Sequence, residues 1–205
     1  MQGVVYKSTG SWYNVKDASD KMWNARMKGV FKLDDITSTN PIAVGDRVDF
    51  ELENEKEQTV IITKIHDRKN HINRQSPRIK SQQHIVAANI DQSLLIATIK
   101  EPRTSQGFID RFLVACEIYH VPAIILFNKT DLYKEKDREK FEKLKEVYES
   151  IGYKVAAASL KEGQNIDDIK ELLKGKTTLI SGHSGVGKST FINAIIPHAQ
   201  LKRRM

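Results

Sequence analysis

A small all-β barrel followed by a doubly wound α/β domain is the fold this sequence predicts, and three observations predict it. Up to about residue 70 the chain carries about five short β-branched and aromatic runs separated by turn residues. From about Ala87 strand-like apolar runs alternate with amphipathic helical stretches. Near the end a glycine-rich loop stands between an aliphatic run and a helical one. The expected boundaries are 1–70 for the barrel, 71–86 for a basic linker and 87–205 for the α/β domain.

Taken in order, the barrel strands are expected at 3–10, 12–15, 28–33, 41–52 and 59–65, with Val44-Gly45-Asp46 as a tight turn entering the fourth. Five short strands at this spacing suit a Greek-key barrel of the OB type, a fold that often carries nucleic acid on one face. Trp12, Tyr13 and Phe31 are candidate stacking residues, although aromatics in so small a barrel more often fill its core. From Lys64 to Lys80 six basic residues (Lys64, Arg68, Lys69, Arg74, Arg78, Lys80) face one acid, Asp67. That stretch is either a solvated face or a contact for a phosphate backbone. His66, His71 and His84 beside it have no company of metal-ligand type.

In the α/β part, strands are expected at 93–99, 123–127, 154–158 and 177–181. Helices are expected at 108–119, 136–151, 166–174 and 190–196, with Gly152 and Gly175 as stops. No run approaches the ~20 apolar residues of a membrane helix, and Met1-Gln2-Gly3-Val4-Val5-Tyr6 lacks a signal-peptide layout. Cys116, the single cysteine, excludes an internal disulfide and a cysteine-built zinc site. A cytoplasmic home without a membrane partner is expected. The formal net charge of +7 is a modest pointer to a polyanion.

The loop Gly182-His183-Ser184-Gly185-Val186-Gly187-Lys188-Ser189 fits the phosphate-cradle pattern G-x-x-x-x-G-K-[ST] at every fixed position. Glycines let backbone N–H groups turn inward around a di- or triphosphate, and the helix that follows presents its positive end to the same anion. Lys188 is expected to reach the β/γ-phosphates and Ser189 to ligate Mg²⁺, with Thr190 opening the helix. His183 is read as a spacer that points away from the phosphates. Strand 123–127 runs into Asn128-Lys129-Thr130-Asp131, the N-K-x-D spelling of guanine recognition. Asp131 can accept from guanine N1–H and the 2-amino group, a pair of donors adenine does not offer, and an unpaired buried carboxylate is penalised heavily. Asn128 is expected on the other edge of the base, and the methylene stem of Lys129 against its plane. Ala158-Ser159-Leu160 closes strand 154–158, and the backbone N–H groups of Ser159 and Leu160 are expected at guanine O6. The two motifs together favour GTP over ATP; a P-loop ATPase or kinase is argued against by Asp131.

The order is unusual, because the base-reading loops precede the phosphate loop, as in a circularly permuted domain. A barrel, then Ala87-Ala88-Asn89-Ile90-Asp91-Gln92, then Asn128 to Asp131 ahead of Gly182 to Ser189, resembles the RsgA family of circularly permuted small-subunit ribosome-biogenesis GTPases. The resemblance covers essentially the whole chain. It implies GTP hydrolysis stimulated by the small ribosomal subunit, contact with its rRNA, GTP/GDP and Mg²⁺ as ligands, and a monomeric factor. It also implies a threonine-bearing switch, a D-x-x-G strand end and a zinc-binding domain beyond the phosphate loop. Only 16 residues follow Ser189 and they contain none of these, so the α/β domain is read as incomplete at its C-terminus. A segment of this extent is expected to bind nucleotide poorly and hydrolyse it negligibly. The alternative reading is a guanine-nucleotide-dependent RNA-binding module, or a fragment without catalysis.

Overall fold

Side chains alternate across a strand, and in the first unit that alternation builds the core. A computed structural model describes residues 1–27, 41–75, 83–196 and 199. It divides into Met1–Ile90 and Asp91–Met205. Strands β1 (Gln2–Thr9), β2 (Trp12–Asp17), β3 (Met22–Met27), β4 (Arg47–Asn54) and β5 (Thr59–Ile65) close a barrel in the order β1-β2-β3-β5-β4. All its pairings are antiparallel except β3 with β5, and β1 with β4 completes the ring. Tyr13 and Val15, Trp23 and Ala25, Val48 and Phe50, and Val60 and Ile62 point inward two residues apart. The expected OB-type barrel is therefore present.

Three expectations change in detail. β3 was not anticipated, whereas the strand expected at 28–33, with Phe31, lies outside the described residues. Tyr13, a candidate for stacking, is 3% exposed and belongs to the core, while its neighbour Trp12 is 50% exposed. The stretch 71–86 is not a bare linker: β6 (His71–Gln75) and β7 (Gln83–Ala88) pair antiparallel within the first unit. Arg78 and Lys80 lie outside the described residues.

Arg68 is a further correction, because its charge is spent inside the unit. Its Nε and Nη2 donate to the two oxygens of Asp46, both at 2.6 Å, and Nη2 also donates to Pro41 O at 2.7 Å. Asp46 is fully buried and additionally accepts from Ala43 N–H at 2.8 Å. A forked, bidentate pair of this kind is what makes burial of a carboxylate tolerable.

The second unit has four parallel strands in the order β10-β9-β8-β11. These are β8 (Gln92–Ala97), β9 (Ala123–Asn128), β10 (Lys154–Ala158) and β11 (Thr178–Ser181). Four helices connect or follow them: α1 (Gln106–Ile118), α2 (Glu135–Ser150), α3 (Ile166–Leu173) and α4 (Lys188–Ile195). Leu95, Ala97, Ile125 and Phe127 pack with α1 and α2 on one face. Leu94, Ile96, Ile124 and Leu126 pack with α3 and α4 on the other. With both faces covered the strands read as unbroken apolar runs, which is why they were recognisable. Strand order reverses between β8 and β11, and a crevice at the carboxyl ends of such a pair is where α/β sheets bind ligands.

Candidate functional site

Because the strands are parallel, their carboxyl ends share one edge of the sheet. β9 ends at Asn128, β10 at Ala158 and β11 at Ser181, and the segments that follow are the three singled out by sequence. They bound one cleft of about 1260 Å³, roomier than the ~300–1,000 Å³ of a typical small-ligand site. Asn128, Lys129, Asp131, Leu132, Leu160 and Lys161 form one wall. Ser184, Gly185, Gly187, Lys188, Ser189 and Thr190 form the other.

One buried amide ties the three segments together. Asn128 Nδ2 donates to Val186 O at 2.8 Å, and its Oδ1 accepts from Leu160 N–H at 3.2 Å. Asp131 sits in a short 3₁₀ turn, Thr130–Leu132, where Ser159 Oγ donates to its Oδ1 at 2.7 Å and so aims the carboxylate. Ser159 itself is fully buried. Lys129 takes a left-handed conformation (φ 66°), and its ammonium donates to Glu101 O. Behind the turn, burial raises the Tyr133 phenol above its ordinary range.

The phosphate loop is shaped by close approach. Gly187 has φ +106°, and a Cβ there would collide with Asn128 Nδ2. Gly182 (φ +142°) lies as tightly against Ile96 O. Only glycine meets both demands. Lys188 Nζ folds over the loop, donating to Gly182 O at 2.7 Å and His183 O at 2.6 Å. Val186 is buried beneath, in the core shared with Phe191 of α4. His183 is outside the cleft lining; its ring stacks on Phe108 with centroids 3.8 Å apart.

Chemically, the cleft offers a carboxylate at one end and an ammonium with three hydroxyls, Ser184, Ser189 and Thr190, at the other. A glycine cradle that a single methyl would fill, opening onto a helix N-terminus, suits a phosphate chain. The Ser189 hydroxyl at the phosphate-loop end is an oxygen donor of the type Mg²⁺ takes beside phosphate oxygens. One expected role changes. Leu160 N–H, expected at guanine O6, is already committed to Asn128 Oδ1. Sequence reasoning also passed over Leu132 and Lys161, although a cation two positions after Ser159 was a readable signal.

Comparison with known proteins agrees with this geometry. The RsgA GTPase model matches residues 65–204 and the RsgA N-terminal domain model residues 2–60. The small ribosomal subunit biogenesis GTPase RsgA of Christiangramia forsetii is 50% identical over 203 residues, covering 98% of this chain and 64% of that protein. Its namesake from Flavobacterium psychrophilum is 48% identical over 205 residues, 100% of this chain and 63% of that protein. The chain thus spans just under two thirds of the length of these relatives. Among solved structures, YjeQ from Thermotoga maritima superposes with a TM-score of 0.79 at 34% identity, covering 98% of this chain and 66% of its own. YloQ, described as a circularly permuted GTPase, gives 0.72 at 33% identity, with coverages of 96% and 64%. With the barrel first, the N-K-x-D loop second and the glycine-rich loop last, and matches along almost the whole chain, the protein belongs to the RsgA family of circularly permuted GTPases.

Proposed function

We propose that this protein binds GTP and GDP with Mg²⁺, hydrolyses GTP, and acts on the small ribosomal subunit late in its maturation while touching rRNA. The observation that carries the reading is that Asp131 and Lys188 line one cleft and Asn128 joins their loops. Asp131, held by Ser159, accepts from guanine N1–H and the 2-amino group. Asn128 and the stem of Lys129 fix the other edge and the plane of the base, and the wall at Leu160 and Lys161 faces O6. Thr130 sets the turn that carries Asp131. The backbone of Gly182, His183, Ser184, Gly185, Val186 and Gly187 wraps the phosphates, Lys188 neutralises them, and Ser189, followed by Thr190, orients the metal. Mg²⁺ supplies charge neutralisation of the phosphate oxygens when bound.

Calorimetry with GDP, GTP and ADP tests base identity and site integrity together: GDP and GTP should bind and ADP should not. Equal binding of ADP removes the guanine reading. Asp131→Asn should move preference toward xanthine nucleotides, whose 2-oxo group needs a donor.

A second reading is favoured by one observation. Among the described residues that line the cleft, Asp131 at one end is the only carboxylate, and the phosphate-loop end carries none. A guanine-nucleotide-dependent RNA-binding module would look the same. Single-turnover hydrolysis with and without small subunits, run on this chain beside a longer form that continues past the phosphate loop, separates them. Stimulated release of phosphate by the longer form supports the enzyme, and none from either under either condition supports the module. The resemblance further implies zinc in a domain past the phosphate loop and a single copy in solution, which metal analysis and light scattering would test.

A further inference from the structure

The loop joining β8 to α1, residues 98–105, supplies none of the cleft lining, yet it reaches both halves of the site. Three hydrogen bonds close it on itself. Thr98 Oγ1 donates to Pro102 O, Thr98 N–H to Thr104 Oγ1 at 3.1 Å, and Thr104 N–H to Thr98 O at 2.9 Å. Both threonines are buried. Ser105 then caps α1 by accepting from Phe108 N–H at 3.3 Å. Its exposed tip, Glu101 to Arg103, is thus anchored by two buried threonines whose polar groups are satisfied within the loop, which holds it in one shape.

Out of that shape come contacts in two directions. Toward the base-reading side, Glu101 O receives the Lys129 ammonium, and Lys100 Nζ pairs with Asp137 Oδ2 at 3.0 Å in the first turn of α2. Toward the phosphate side, Pro102 Cδ stands 3.3 Å from the position a Cβ on Gly185 would take, which closes the space beside that glycine (φ +82°).

We infer that residues 98–104 brace the base-reading loop against the phosphate loop, with Thr98 and Pro102 as positioning residues for guanine nucleotide. The inference rests on the guanine-nucleotide reading above. Lys129, tethered at its ammonium, keeps its stem extended along the cleft wall, and Pro102 limits the excursion of Gly185. Seating the base then stiffens the cradle that receives the diphosphate. Such a coupling is a difference in affinity between a ligand that uses both halves and one that uses a single half.

GDP and guanosine distinguish these cases, because guanosine carries base and ribose without phosphate. Both are titrated into the 205-residue chain and its variants, and the ratio of the two dissociation constants is read. Pro102→Gly and Lys129→Met should each shrink the advantage of GDP over guanosine by about ten-fold. Lys129→Met is the sharper arm, since its lost ammonium lies on the base side. For Lys129→Met a purely local role on the base side would weaken both ligands alike and leave the ratio fixed. For Pro102→Gly a purely local role would leave guanosine affinity unchanged, whereas the coupling requires it to fall as well. Thr98→Val should behave like Pro102→Gly, and Thr98→Ser, which keeps the hydroxyl, should restore the ratio; melting temperatures of both identify any unfolding. An unchanged ratio in Pro102→Gly or in Lys129→Met overturns the inference while leaving the guanine site standing. Failure of the unaltered chain to bind GDP removes both.

Discussion

Asn128 is the side chain on which the cleft depends most, because a single amide satisfies a carbonyl of the phosphate loop and an N–H of the segment after β10. It is also why the third glycine of the cradle cannot change. Gly187→Ala should lower GDP affinity at least about a hundred-fold, since the new methyl would displace the Asn128 amide and the φ of +106° is strained for alanine. Calorimetry checks it. A second residue-scale prediction concerns acid. Ser19, through its hydroxyl, and then the Trp23 indole N–H hold the Asp17 carboxyl down from 3.8 to about 2. A carboxyl depressed by folding contributes stability that is complete above its unfolded value and lost as pH falls toward its folded one. The barrel should therefore weaken between about pH 4 and pH 2, and Asp17→Asn should flatten that limb and lower stability at neutral pH. Thermal melts across the window would show it. At this scale the motif residues were legible because phosphate and guanine chemistry constrain the spelling. Ser159 aiming Asp131 was not, because a buried serine announces nothing about which carboxylate it meets.

At the level of elements, pattern strength decided what could be read. β8 and β9 carry the unbroken apolar runs Leu94–Ala97 and Ala123–Phe127 and were located to within two residues at either end. Helix α2 was placed one residue from its observed bounds, its face marked by Phe141, Leu144 and Tyr148. Strand β3 escaped because only Trp23 and Ala25 turn inward, while asparagine, arginine and alanine have weak strand preference. Its place is secured by β2 and β5 on either side, a tertiary reason. The hairpin of β6 and β7 escaped as well, since the intervening residues carry no two-residue turn signal. The segment between β5 and β6 gives the prediction for this scale. Arg68→Met leaves Asp46 buried and unpaired and should cost about 3–5 kcal/mol in the first unit, measured by urea unfolding. A loss below about 1 kcal/mol would mean the pair is solvated in solution.

For the molecule as a whole, the division into a barrel and an α/β domain was plain in the sequence, and only the position of the boundary moved, from 70 and 86 to Ile90. What could not be read was how the basic stretch divides its charges between inside and outside. Arg68 turns inward, whereas Lys64 and Lys69 are exposed. Charge reversal of Lys64 and Lys69 together should weaken binding to small subunits and reduce the log–log salt slope by about 2, one per lost phosphate contact. An unaltered slope would assign those lysines to a solvated surface. The place of β11 in the sheet has a consequence of its own. It pairs with β8, the first strand of its domain, and carries the loop that Asn128 reaches 58 positions ahead. During synthesis at ~5–20 residues per second, one flank of β8 stays open for several seconds after β9 and the Asn128–Asp131 loop have emerged. A nascent chain of this permuted kind brings its phosphate loop to the Asn128 loop only as β11 docks on β8, so assembly of the cleft and pairing of those two strands become one event.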